Sequence, residues 1–305
     1  MSLPFVMPRL RPTRGRAWRI DRLPWQAGTC IDAYGRRVGV RTNAPALLDR
    51  LAPHLPPGWR ACGSPFVDEI FSLWVDPAGE GVPRPTRVYT GRRRRARTTD
   101  LARAFAVLET EIRQSVAASA ARRTFVHAGV VGWRGRAIVV PGRSRSGKTT
   151  LVAALVRAGA LYLSDEFAVL DGRGRVHPFA KPLSIRGAGG CDRHARSRRV
   201  EELGGVRGTE PLPVGLVVLT KHRPGASWRP TLLTRGQAVL EMLAHTVPAR
   251  LRPEASLASL ERAVARAVVV KGERGAAEDL AAELLRLSET TPPGRRRVTG
   301  GRGSR

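Results

Sequence analysis

Lysine is almost missing from this chain. Only four of its 53 basic residues are lysines, Lys148, Lys181, Lys221 and Lys271, and the rest are arginine. Acidic residues are also scarce, at 25, so the formal charge reaches +28. Such a charge suits a polyanionic partner. With abundant alanine, glycine and proline, the arginine skew follows equally from codon usage in GC-rich DNA. Aromatics make up only 5% of the chain and are not interleaved with the arginine runs Arg92–Arg95, Arg196–Arg199 and Arg295–Arg297, which read as loops. A single-strand binding surface would want stacking aromatics among them, so nucleic acid is not the expected partner. Three scattered cysteines, Cys30, Cys62 and Cys191, make neither a disulfide framework nor a zinc site. No run approaches the ~18 apolar residues of a membrane span, and the first residues, MSLPFVMPRLRPTRGR, carry no signal-like stretch. The expectation is a cytoplasmic protein without a membrane span.

What is present suffices for a core. At 305 residues and 42% hydrophobic content, the chain fits one large or two modest domains. Residues 1–20 and 288–305 are rich in Pro, Gly and Arg and read as disordered termini. Residues 21–121 read as a small α+β module. Within it, Arg37–Arg41 and Ile70–Val75 are short apolar runs, the second alternating like a half-buried strand. Leu47, Leu48 and Leu51 give Ala44–Leu55 helical spacing behind a capping Asn43. Asp100 opens a long helix, to about Ala121, with Leu101, Phe105, Leu108 and Ile112 on one stripe.

Residues 122–287 carry the chemistry. Phe125–Val131 and Ala137–Val140 are apolar runs joined by the tight turn Gly132-Trp133-Arg134-Gly135, which predicts a hairpin. The second run flows into Gly142, Arg143, Ser144, Arg145, Ser146, Gly147, Lys148, Thr149 and Thr150, and then into the helical Leu151–Val156. This is G-x-x-x-x-G-K-[ST] in the strand–loop–helix setting that the motif requires. The glycines allow backbone angles forbidden to other residues, so successive N–H groups form a cradle for phosphate oxygens. The start of a helix favours the same anion. Lys148 is placed to reach the β- and γ-phosphates of ATP, and the Thr149 hydroxyl to ligate Mg²⁺.

After the helix, Ala160–Leu170 reads as one buried strand interrupted by Asp165 and Glu166. Carboxylates in an apolar strand need compensation. A dication with a substrate hydroxyl supplies it; a salt bridge to an arginine, or a strand end in solvent, is the competing reading. Asp165 follows Lys148 by seventeen residues, one helix and one turn, which lets the two strands lie side by side. His127 lies in the first apolar run, where a core histidine is the competing reading. Lys181–Arg186 and Val214–Leu219 read as further strands, and Gln237–His245 as a helix ending in a packing histidine.

Loop, helix, Gly159 and the acidic pair together resemble the catalytic domain of the HPr serine kinase/phosphorylase family. His127 and the Lys181–Arg186 segment extend the likeness over roughly residues 125–245. The resemblance implies an α/β fold like that of phosphoenolpyruvate carboxykinase and a serine-kinase-type phosphotransferase using ATP and Mg²⁺. It implies Asp165 as general base, His127 beside the transferred phosphoryl group, and Thr149, Asp165 and Glu166 around the metal. Likeness to relatives in biosynthetic clusters adds a ribosomal peptide precursor as acceptor, beside other peptides, proteins and small molecules. The glycine- and asparagine-containing segment tied to phosphorylase activity is not found; residues 187–210 are Arg/Gly-rich instead. HPr is therefore not the expected acceptor. An ATPase or ATP-dependent switch, and a nucleic-acid-binding NTPase, are the alternative readings, and a homo-oligomer is left open.

Overall fold

The computed structural model describes Leu3 and residues 5–10, 19–77, 84–142, 146–185 and 196–290. Arg143, Ser144 and Arg145 of the expected loop lie outside the described residues, as do residues 187–195 of the Arg/Gly-rich stretch and the Arg295–Arg297 run. The chain divides into two compact units, Met1–Arg123 and Thr124–Arg305.

In the first unit β1 (Arg9–Leu10) pairs in parallel with β5 (Phe66–Val67). The strands β2 (Ala27–Ala33), β3 (Arg36–Thr42), β4 (Arg60–Ala61), β6 (Glu69–Val75), β7 (Thr86–Thr90) and β8 (Arg93–Thr98) form a six-stranded sheet in the order β4-β2-β3-β6-β7-β8. The helix α1 (Leu101–Ser119) packs on β7 and β8. Its N-cap is Asp100, whose carboxylate accepts from the Ala102 and Arg103 N–H groups, and Phe105, Leu108 and Ile112 are buried.

Two expectations fail here. Ala44–Leu55 is not one helix but two short 3₁₀ turns, Pro45–Leu47 and Ala52–His54. Pro53 lacks the N–H that a continuing helix would need. Asn43 caps neither turn; its amide exchanges two 2.8 Å hydrogen bonds with the backbone of Val75. The runs Arg92–Arg95 and Arg196–Arg199 are also not loops, since Arg93–Thr98 is β8 and Arg196–Arg198 is β15. Arginine suits such strands because its aliphatic stem covers the sheet while its head stays in water. Charged residues on β8, at one end of its sheet, also oppose pairing with another chain.

The second unit is built on β9 (Thr124–Trp133), β10 (Arg136–Pro141), β11 (Leu161–Ser164), β12 (Phe167–Leu170), β13 (Arg175–His177), β16 (Leu212–His222), β17 (Thr231–Leu232) and β18 (Val268–Arg274). These form one sheet in the order β10-β9-β12-β13-β16-β18-β17, with β11 also on β9 and a further β10–β16 pairing. A separate pair joins β14 (Leu183–Ile185) to β15. The β9–β10 hairpin turns at Arg134 and Gly135, with φ of 45° and 75°, the positive pair that suits a tight hairpin. Among the described residues four α-helices complete the unit: α2 (Lys148–Arg157), α3 (Arg235–Leu243), α4 (Pro253–Val264) and α5 (Ala277–Glu289).

Both faces of this sheet are covered, which is why its strands read as unbroken apolar runs. Ile138, Val140, Leu216, Val218 and Val270 pack with the apolar sides of α2 and α5. Their alternates Val139, Val217, Leu219 and Val269 pack with α3 and α4. The chain is thus of the α/β class. The strand Ala160–Leu170 is split into β11 and β12; its register on β9 shifts by one residue between Tyr162 and Ser164, then holds from Ser164 opposite Val130 to Phe167 opposite His127, with the acidic pair between them. The carboxylate strand and β10 do not lie side by side as expected: β9 stands between them. The long hairpin makes β9 the common neighbour of both.

Candidate functional site

Three parallel strands, β10, β16 and β18, point their carboxyl ends the same way. Open α/β sheets bind ligands outside such ends. The phosphate-loop sequence leaves β10 there. The Gly142 N–H donates to the His127 carbonyl at 3.0 Å, and a Cβ on Gly142 would stand 2.7 Å from the Ser146 hydroxyl. Gly147 has φ of 82°, a conformation costly for other residues. α2 begins at Lys148, and its first bond runs from the Leu151 N–H to the Gly147 carbonyl at 3.2 Å. The Thr149 and Thr150 N–H groups therefore face out of the helix start, where an anion is favoured.

The acidic pair is set by a buried serine. The Ser164 hydroxyl accepts from the Glu166 and Phe167 N–H groups, at 3.1 and 3.0 Å. Between them Asp165 is 7% exposed. Its Oδ2 faces the Thr149 hydroxyl at 3.4 Å, and its Oδ1 lies 3.2 Å from the Tyr162 hydroxyl. The same tyrosine oxygen is 2.8 Å from the Lys181 carbonyl, so its single proton serves one acceptor at a time. Burial pushes the Asp165 carboxyl above the usual carboxylate value; the Lys181 charge opposes this and the Glu166 charge adds to it. Burial pushes the Lys148 ammonium down, against the pull of Asp165 and Glu166.

Glu166 turns to Lys181, Oε2 to Nζ at 3.0 Å, with both side chains about one-fifth exposed. The donors that meet at the loop are thus the Thr149 hydroxyl and the Asp165 carboxylate, hard oxygens that fit Mg²⁺. Among the described residues no group of three His, Cys, Asp or Glu side chains forms a metal cage.

His127 sits on β9 opposite Phe167, the ring centroids 4.9 Å apart. Its backbone N–H donates to the His245 carbonyl at 2.8 Å. Burial holds its imidazole below the usual value, with Lys148 and His245 reinforcing the shift and Glu166 opposing it. Near neutral pH it is an uncharged hydrogen-bonding group rather than a cation. His245 follows α3 and contributes its carbonyl to β9.

The geometry brings Gly142, Ser146, Gly147, Lys148, Thr149, Asp165, Glu166 and His127 to one end of the sheet. Four partners in it were not assigned to the site from sequence: Tyr162, Ser164, Arg274 and Lys181, the last named only as the start of an expected strand. Lysine scarcity was a usable signal for Lys181, since two of the four lysines meet the acidic pair here. Arg274 donates from Nη2 to the Gly147 carbonyl at 2.9 Å, and nothing in the sequence sets it apart from the other arginines.

No protein-family profile matches the chain, and no curated protein does. Among solved structures, the HPr(Ser) kinase/phosphatase from Coxiella burnetii is similar at 15% identity, over 54% of this chain and 93% of its own, with a TM-score of 0.31. A superposition that loose carries no functional argument.

Proposed function

We propose that the second unit is an ATP-dependent phosphotransferase that moves the γ-phosphoryl group to a hydroxyl acceptor. The observation that carries this is Asp165, a buried carboxyl raised by its surroundings and 3.4 Å from the hydroxyl that follows the loop lysine. The backbone of the loop and the Lys148 ammonium hold the β- and γ-phosphates. Thr149 and Asp165 would hold Mg²⁺, which when bound neutralises charge across the phosphate oxygens. The Asp165 carboxylate takes the proton of the acceptor hydroxyl, and a raised pKa brings a carboxylate closer to the range useful for a base. Tyr162 fixes the orientation of that carboxylate, and Ser164 fixes its backbone. Uncharged His127 offers a hydrogen bond near the transferred group. The acceptor is a serine or other hydroxyl of a peptide, a protein or a small molecule. Resemblance favours a ribosomal peptide precursor, and the charge of +28 favours an acidic one.

Asp165→Asn is expected to lower phosphoryl transfer by ~10²–10⁴-fold, the usual share of a general base, while ATP binding persists. ADP release is followed with and without an acidic serine-containing peptide. Transfer at the wild-type rate by the variant removes Asp165 from the mechanism. ADP release indifferent to any hydroxyl acceptor indicates hydrolysis instead.

A further inference from the structure

Lys148 is not the most deeply buried cation at this loop. Arg274 closes β18 and is 2% exposed. Its Nη2 donates to the Gly147 carbonyl at 2.9 Å and its Nη1 to the Gly275 carbonyl at 3.1 Å. Its Nε is buried with no hydrogen-bond partner among the described residues. No carboxylate among those residues forms a salt bridge with it; Glu278 acts on it from farther away. Glu278 instead lies 4.0 Å from Arg157.

A buried guanidinium without a counter-ion is expensive. This one also sits beside the start of the ten-residue α2, where the helix dipole is itself positive. Arginine does not escape the cost by losing its proton. The site therefore concentrates positive charge from Arg274, Lys148 and the helix end, and a polyanion would balance it.

The hydrogen bond to Gly147 has a directional consequence. In a trans peptide the carbonyl and the following N–H point opposite ways. With the Gly147 carbonyl held by both Leu151 and Arg274, the Lys148 N–H is aimed out of the helix start. The contact also leaves no room for a side chain, because a Cβ on Gly147 would stand 2.5 Å from Arg274 Nη2.

We propose that Arg274 is a positioning residue of the polyphosphate site: it pins the Gly147 peptide and supplies buried positive charge that a nucleotide's phosphates balance. This rests on the phosphate-loop reading above. The test uses the full chain, with sodium tripolyphosphate and MgATP as probes in equilibrium binding, and melting without ligand as the control. Arg274→Met should weaken both ligands by ~10–100-fold, the range for a lost charge-assisted contact. Its melting temperature without ligand should hold or rise, because the unbalanced charge is gone. Arg274→Lys should recover part of the affinity. Arg274→Met binding as tightly as wild type overturns the proposal, as does a loss of affinity that only tracks a lowered melting temperature. Lys148→Met, measured in parallel, separates the two claims. If it too binds like wild type, the phosphate-loop reading fails and takes the role of Arg274 with it.

Discussion

The Lys181 charge acts on the Asp165 carboxyl, and their balance sets the pH at which the proposed base works. Burial raises the Asp165 carboxyl and the Lys181 charge is the largest force pulling it back. Replacing Lys181 by Met removes that pull, so the carboxyl should titrate higher still. The ionised form then appears only at higher pH, and the acid limb of the kcat/KM profile should move up relative to wild type. An unmoved limb would separate Lys181 from the base. Much of this site was legible in sequence because the loop, the acidic pair and His127 are local patterns. Lys181 and Arg274 were not, because they reach the site through strand pairing and a long connection. Nothing in the alternation of Val268–Arg274 announces that its last residue meets a loop more than a hundred positions earlier.

At the scale of elements, the site depends on how closely α2 can lie on β9. Gly129 permits that approach: a Cβ there would stand 2.4 Å from Val152 Cγ2, and Val152 is fully buried. Gly129→Ala should therefore destabilise the second unit by ~1–3 kcal/mol, as overpacking does. Adding Val152→Ala should return part of it, read as paired denaturant midpoints. An unchanged midpoint for Gly129→Ala would show that the helix can shift at no cost. Elements with one dominant local rule were legible: the capped α1, the Gly-bounded hairpin and the helix behind the loop. Where two rules competed, tertiary pairing decided. Leucine spacing favoured a helix over 44–55, but Pro53 and the Asn43–Val75 pairing broke it into turns. Arginine runs suggested loops, yet backbone pairing took them into strands.

At the scale of the whole molecule, part of the arginine excess is neutralised in ion pairs among the described residues. Arg41 pairs with Asp21, Arg87 with Asp76 and Arg95 with Glu111 in the first unit, and Arg207 with Glu201 in the second. No helix among the described residues is long and apolar enough to cross a membrane. The chemistry gathers in the second unit, at the carboxyl ends of β10, β16 and β18.

The central claim is that this end of the sheet holds the phosphates of ATP through the loop from Gly142 to Thr149. Equilibrium titration of the full chain with MgATP, wild type against Lys148→Met, addresses it most directly. The account predicts saturable binding by wild type and at least ~100-fold weaker binding by the variant, a difference of ~2.7 kcal/mol. Equal binding by the two proteins, or none by the wild type, would contradict it.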